Sequence, residues 1–195
     1  LSGFVFFLTD SPSRFWNAPV KRTWMRFDRL MVPFLCFALL IVVGKYLAAS
    51  LGQVADPVNS LGSGIWKVVE NPPDNPSLAV WYLLVLFVYT IVAPMLCKVG
   101  GNRIYLILLL GIAGWLVPLP EEYYIRRIAI YFIFFGVGGL FAIHRDVVLP
   151  VLKRFAWLFV LAFALIGYLA YGNSYALLIT GLASIPAVHG LFLQD

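Results

Sequence analysis

LSGFVFFLTDSPSRFWNAPVKRTWMRFDRLMVPFLCFALL, residues Leu1–Leu40, sets the pattern for the rest of the chain. It opens inside an apolar run, crosses a polar and basic connection, and enters a long hydrophobic segment at Leu30. Just before that entry stand Arg22, Arg26 and Arg29, spaced i, i+4, i+7. At about 100° per residue an α-helix gathers the three within about 60° of azimuth. Asp28 falls on another side and is poorly placed to neutralise them. Guanidinium forks match phosphate oxygens, so a stripe of this kind at the mouth of a membrane helix suits a phosphorylated ligand. The same stripe also serves to keep a loop in the cytoplasm and to touch lipid phosphates. The residues alone leave both readings open, and the second is the commoner.

Composition decides the class. Of 195 residues, 62% are hydrophobic and 12% charged, where a soluble domain carries about 25% charged residues. Mean hydropathy is +0.92. The chain is read as an integral membrane protein. Its net charge of +5 then speaks of topology, since no basic cluster interleaved with aromatics marks a nucleic-acid surface. Cys36 and Cys97 lie in apolar stretches as small hydrophobes, with neither a disulfide framework nor metal-ligand spacing.

Span length orders the remainder. Ser2–Thr9 is too short to cross a bilayer and reads as the inner end of a partial span. Asp10–Pro19 reads as a loop. Leu30–Ala49 supplies the roughly 20 residues needed for a core of about 30 Å, with Pro33 in its first turn. Ser50–Ser77 is the longest polar connection, rich in turn residues, and Ile65, Trp66, Val68 and Val69 in it suit a short interfacial segment. Leu78–Cys97, Ile104–Val117, Tyr123–Ile143, Phe155–Tyr171 and Tyr175–Leu193 follow as spans, separated by Lys98–Arg103, by a loop holding Glu121 and Glu122, by the basic His144–Arg154, and by Gly172–Ser174. The expectation is an all-α polytopic transmembrane helix bundle of six complete spans plus a partial N-terminal one. It reads as a fragment of a larger bundle, one transmembrane domain over 1–195 cut at both ends.

Basic residues fix the expected orientation. Arg14, Lys21, Arg22, Arg26, Arg29, Lys98, Arg103, Arg145, Lys153 and Arg154 fall in alternate loops, ten of the fourteen lysines and arginines. The opposite side holds Lys45, Lys67, Arg126 and Arg127 against Asp56, Glu70, Asp74, Glu121 and Glu122. Residues 10–29 are therefore expected in the cytoplasm and 50–77 outside.

SGF at Ser2–Phe4, followed by WMRFDRLMVPFL at Trp24–Leu35, resembles the start of the acyltransferase 3 family of membrane acyltransferases. That family has an SGF element ending an early span and a pattern close to R-x-x-R-L-x-x-P opening the next. VWYLLVLFVYTIVAPML at Val80–Leu96 is similar to its W-[FY]-L segment with a proline about a dozen residues on. YFIFFGVGGLFA at Tyr131–Ala142 is similar to its aromatic-then-glycine span. The resemblance runs in order over nearly the whole chain. It implies transfer of an acyl group, acetyl first among them, from acyl-CoA to a hydroxyl of a sugar, lipid-linked glycan or related acceptor. Acyl-CoA is then a co-substrate, with no bound cofactor and no metal, in a bilayer expected to be a bacterial inner membrane.

The resemblance also weighs the sites. Arg26 and Arg29 match the pair implicated in holding CoA phosphates, and Arg22 shares their face. Ser2 and Gly3 match SGF, as either a polar hinge beside the acyl path or a close helix contact, and Trp81 opens the W-[FY]-L segment. Glu121, Glu122, Arg126 and Arg127 are placed to meet acceptor hydroxyls, or equally to form i, i+4 pairs and snorkel. The family's catalytic histidine lies upstream of SGF, hence before residue 1, so none is assigned here and the piece alone is expected to be inactive. His144 and His189 are read as structural. Ala79 and Val80 stand where relatives often carry a histidine, which leaves the acceptor open. The competing reading is a transporter or flippase-like protein without acyl chemistry. The spans carry no ionisable residue near their midpoints, which disfavours an ion-coupled pump.

Overall fold

The computed structural model describes residues 2–9, 11–52, 60–70, 80–99, 104–169 and 174–192. Among these residues eleven α-helices run in chain order: α1 Ser2–Leu8, α2 Ser11–Asn17, α3 Pro19–Arg26, α4 Val32–Leu51, α5 Leu61–Glu70, α6 Trp81–Val99, α7 Tyr105–Leu116, α8 Ile125–Ile143, α9 Arg145–Arg154, α10 Ala156–Leu169 and α11 Ser174–Phe192. A π-helical turn, Phe27–Met31, joins α3 to α4, and a 3-10 turn, Glu122–Tyr124, precedes α8. Among the described residues there is no strand.

Among the described residues three helical stretches are long and apolar enough to cross a membrane: Pro19–Ala49, Trp81–Val99 and Glu122–Ile143. A fourth arises if Arg145–Arg154 and Ala156–Leu169, bent by 78° at Phe155, count as one broken span. The expected six complete spans are thus not confirmed. Tyr105–Leu116 and Ile179–Val188 fall short of that length.

Local readings change too. The expected loop at 10–19 holds α2 and the start of α3, and the basic 144–154 stretch is largely α9. Part of the long polar connection folds as α5, while residues 53–59, 71–79 and 100–103 lie outside the described ones. Pro33 is the second residue of α4, in its first turn as expected. The backbone is already wound from Pro19, so its missing N–H falls inside a continuous rod. The π turn directly precedes it, with the Val32 N–H reaching back to the Phe27 carbonyl. Widening the ladder there relieves the clash a proline ring makes with the carbonyl four residues earlier.

The chain gathers into two compact units, 12–133 and 1–11 with 134–195. In the first, Phe34, Ala38 and Val42 recur every four residues on α4 and pack with Val68 of α5 and Val80 ahead of α6. On α7, Gly111 lies so close to α8 that a Cβ there would stand 2.5 Å from the Ile133 amide nitrogen. The Trp115 Nε1–H donates to the Ile130 carbonyl at 3.2 Å. In the second unit Gly3 abuts the Phe135 carbonyl with no room for a side chain. Phe6 packs on the Phe135 ring at 5.3 Å.

Candidate functional site

α6 is the post on which the 12–133 unit arranges its polar groups. Its 19 residues span about 28 Å at 1.5 Å each, and the two ends differ in charge.

At the Val99 end lie the arginines. Pro94 sits inside α6 and has no N–H to give to the Thr90 carbonyl one turn earlier. The Arg26 guanidinium donates to that carbonyl instead. Arg26 also lies over the Phe15 ring, 5.3 Å from its centroid. The Trp16 Nε1–H donates to the Pro94 carbonyl at 3.3 Å, and Lys98 Nζ rests 4.0 Å from the Trp16 ring. Arg26 is therefore half-buried and engaged with protein. Arg29 is exposed, and among the described residues it has no ion-pair partner. Arg22 Nε is buried and has no hydrogen-bond partner among the described residues.

The three arginines do not form the narrow stripe that α-helical spacing predicts. An i→i+5 turn advances only about 80° per residue, so three steps from Arg26 to Arg29 open their separation from about 60° to about 110°. Arg22 and Arg26 share a face, and Arg29 stands beside it.

At the Trp81 end lie the carboxylates. Glu121 accepts from Arg126 at 3.1 Å and pairs with Arg127 at 3.7 Å. The Arg127 guanidinium lies 5.1 Å from the Trp81 ring centroid, and Trp81 packs on Tyr131 at the same spacing. Tyr123 and Tyr124 both adopt positive φ, 50° and 63°, a region costly for non-glycine residues. Buried Tyr124 is held by its hydroxyl, which donates to the Val68 carbonyl of α5 at 2.6 Å. That bond brings α5 to the Glu121–Tyr124 turn, although 56 residues separate its partners. Ser63, Trp66, Lys67 and Glu70 of α5 face Pro120, Glu121, Glu122 and Tyr123 across a cleft of about 670 Å³. Glu121, Glu122, Arg126 and Arg127 are thus gathered together as expected of neighbours in sequence. The contribution of α5 had no signal beyond its i, i+3, i+4, i+7 spacing.

Other expected positions are scattered. Ser2 and Gly3 belong to the other unit. His144 is exposed at the junction of α8 and α9, also in that unit, and the side chain of His189 lies outside the described ones. Among the described residues no group of three His, Cys, Asp or Glu is placed to hold a metal ion.

A family model described as an acyltransferase domain, that of acyltransferase 3, matches residues 1–193. The chain belongs to the acyltransferase 3 family. No curated protein and no solved structure gives a significant match. Membership covers both units of this acyltransferase, so the arginine end and the carboxylate end of α6 lie in one family domain.

Proposed function

We propose that this acyltransferase moves an acyl group, acetyl in the first instance, from acyl-CoA to a hydroxyl of a sugar or lipid-linked glycan. The observation that carries the donor assignment is the arginine end of α6, where among the described residues Arg22 keeps a buried Nε without a partner and Arg29 has no carboxylate. An unsatisfied buried donor costs about 1–3 kcal/mol, which a phosphate oxygen offsets. Arg26, held by the Thr90 carbonyl and Phe15, anchors the group.

In this reading the arginine end faces the cytoplasm of a bacterial inner membrane and the carboxylate end faces outward. The acceptor oxygen attacks the thioester carbonyl as a general base takes its proton. The C–S bond breaks, and the CoA thiolate leaves to be protonated. The base is the histidine that family resemblance places before Ser2, with neither His144 nor His189 in that role. Holding donor and acceptor in line supplies much of the barrier reduction.

Charge-assisted phosphate contacts contribute about 1.5–3 kcal/mol each. In the full-length protein Arg29→Ala is expected to weaken acyl-CoA binding ten-fold or more, with insertion intact. Arg29→Lys does not restore it fully, because an ammonium lacks the guanidinium fork. Unchanged donor affinity in both variants would leave these arginines a topological role only.

A further inference from the structure

α9 turns 78° from α10 at Phe155, and the two helices meet their surroundings differently. On α10, exposed Leu158, Leu161 and Leu165 fall within about 60° of azimuth, a stripe suited to lipid. With that stripe along the bilayer normal, α9 lies nearly in the membrane plane. α9 does not suit the other arrangement, the first half of a broken span. Arg145, Asp146, Lys153 and Arg154 are four of its ten residues, and hydrocarbon is a costly place for them. Headgroup depth is where such a helix rests.

Its faces are divided accordingly. Leu152 is buried, and Gly190 of α11 lies so near that a Cβ there would stand 3.0 Å from the Leu152 carbonyl oxygen. Val147 and Val151 sit about 100–140° round from Leu152 and are 70% and 44% exposed. Phe155, at the bend, is 44% exposed. Asp146 and Lys153 take a third side. An apolar strip is thus uncovered between a packed face and a charged one.

The charge on α9 has one sign to spare. Asp146 is the sole carboxylate among the described residues of the unit formed by 1–11 and 134–195, and Arg145 pairs with it at 3.6 Å. Lys153 and Arg154 are exposed and have no ion-pair partner among the described residues. Both complement the partial negative charge at the C-terminus of α9, which is less than one full charge. The Arg154 guanidinium lies 5.5 Å from the Phe155 ring centroid, a cation beside an apolar ring, as a snorkelling side chain is placed where hydrocarbon meets headgroups. Trp157 follows, also exposed, and indole favours the same depth.

We infer that α9 is a docking surface for anionic phospholipid: Val147, Val151 and Phe155 enter the acyl boundary while Lys153 and Arg154 hold lipid phosphates. The surface is independent of the donor and acceptor readings, and it ties the α10–α11 hairpin to one leaflet through the close contact at Gly190.

The test uses the full-length protein with its other reactive cysteines replaced. One bimane-labelled cysteine is placed at Val147, Val151 or Asp146, and the protein is reconstituted in nanodiscs of phosphatidylcholine with a minor fraction of phosphatidylglycerol. Lipid carrying a nitroxide high on its acyl chain is expected to quench the probes at Val147 and Val151 about three-fold more than the probe at Asp146, and aqueous iodide is expected to reverse that order. At equal mole fraction, nitroxide phosphatidylglycerol is expected to be enriched about five-fold over nitroxide phosphatidylcholine beside Val151. Lys153→Gln with Arg154→Gln is expected to bring the two lipids to parity, and Lys153→Arg to keep the preference. Iodide reaching Val147 as freely as Asp146 would overturn the surface, because the strip is then in water. So would a Val147 probe that neither quencher reaches, because protein then covers it. Equal quenching by the two nitroxide lipids in the parent protein would overturn the anionic preference.

Discussion

Arg26 and Pro94 are 68 positions apart in sequence, yet the structure makes each depend on the other. Pro94 withholds the N–H that would bond the Thr90 carbonyl, and Arg26 supplies a donor in its place. A hydrogen bond from a charged donor contributes about 1.5–3 kcal/mol, and the contact of Arg26 with Phe15 adds about 0.5–1 kcal/mol. Arg26→Ala should then cost about 2–4 kcal/mol. At 2–4 °C per kcal/mol for a chain of this size, the apparent midpoint of unfolding falls by roughly 4–16 °C. In a Pro94→Ala background the new amide bonds Thr90 within α6, so removing Arg26 loses little beyond the Phe15 contact. The coupling between the two sites should be about 1.5–3 kcal/mol. Cys97 gives the assay: it is buried one turn beyond Pro94, and its labelling by a thiol dye on heating reports opening of α6 once Cys36 is replaced by alanine. Equal midpoint losses from Arg26→Ala in both backgrounds would refute the exchange of proline and arginine.

Other outcomes follow from particular contacts. Gly111→Ala places a Cβ against the α8 backbone and should cost about 1–3 kcal/mol as overpacking, read as a lower midpoint in detergent. Tyr124→Phe removes a buried hydrogen bond to Val68 and should cost about 1 kcal/mol. Single cysteines at Ser11 and Ser60, in a background lacking Cys36 and Cys97, should label from opposite faces of the membrane. Labelling of both from one face would reverse the orientation proposed here.

The helical class and the family were legible because apolar content and the order of SGF, the arginine motif and the proline-bearing segment survive without coordinates. Span number was not, because hydropathy does not mark where a helix bends, as at Phe155, or stops short, as at Leu116. The arginine face was half legible. Spacing placed Arg22 with Arg26, but no residue in FDRLM announces a π turn. The positions of Thr90 and Trp66 were hidden for a different reason. One acts through a backbone carbonyl, and the other lines a cleft with a turn more than fifty positions away.

The wide turn at Phe27–Met31 amounts to one amino acid more than an α-helical ladder needs for the same rise. Because the surplus is taken up locally, α4 keeps the rotational phase it would have had without it. Losing one residue inside the turn would therefore leave Phe34, Ala38 and Val42 pointing at Val68 as they do now. Losing one residue within α4 would turn everything after it by about 100° and carry Val42 out of the core. Tolerance to a shortened chain is thus concentrated in five residues directly after Arg26.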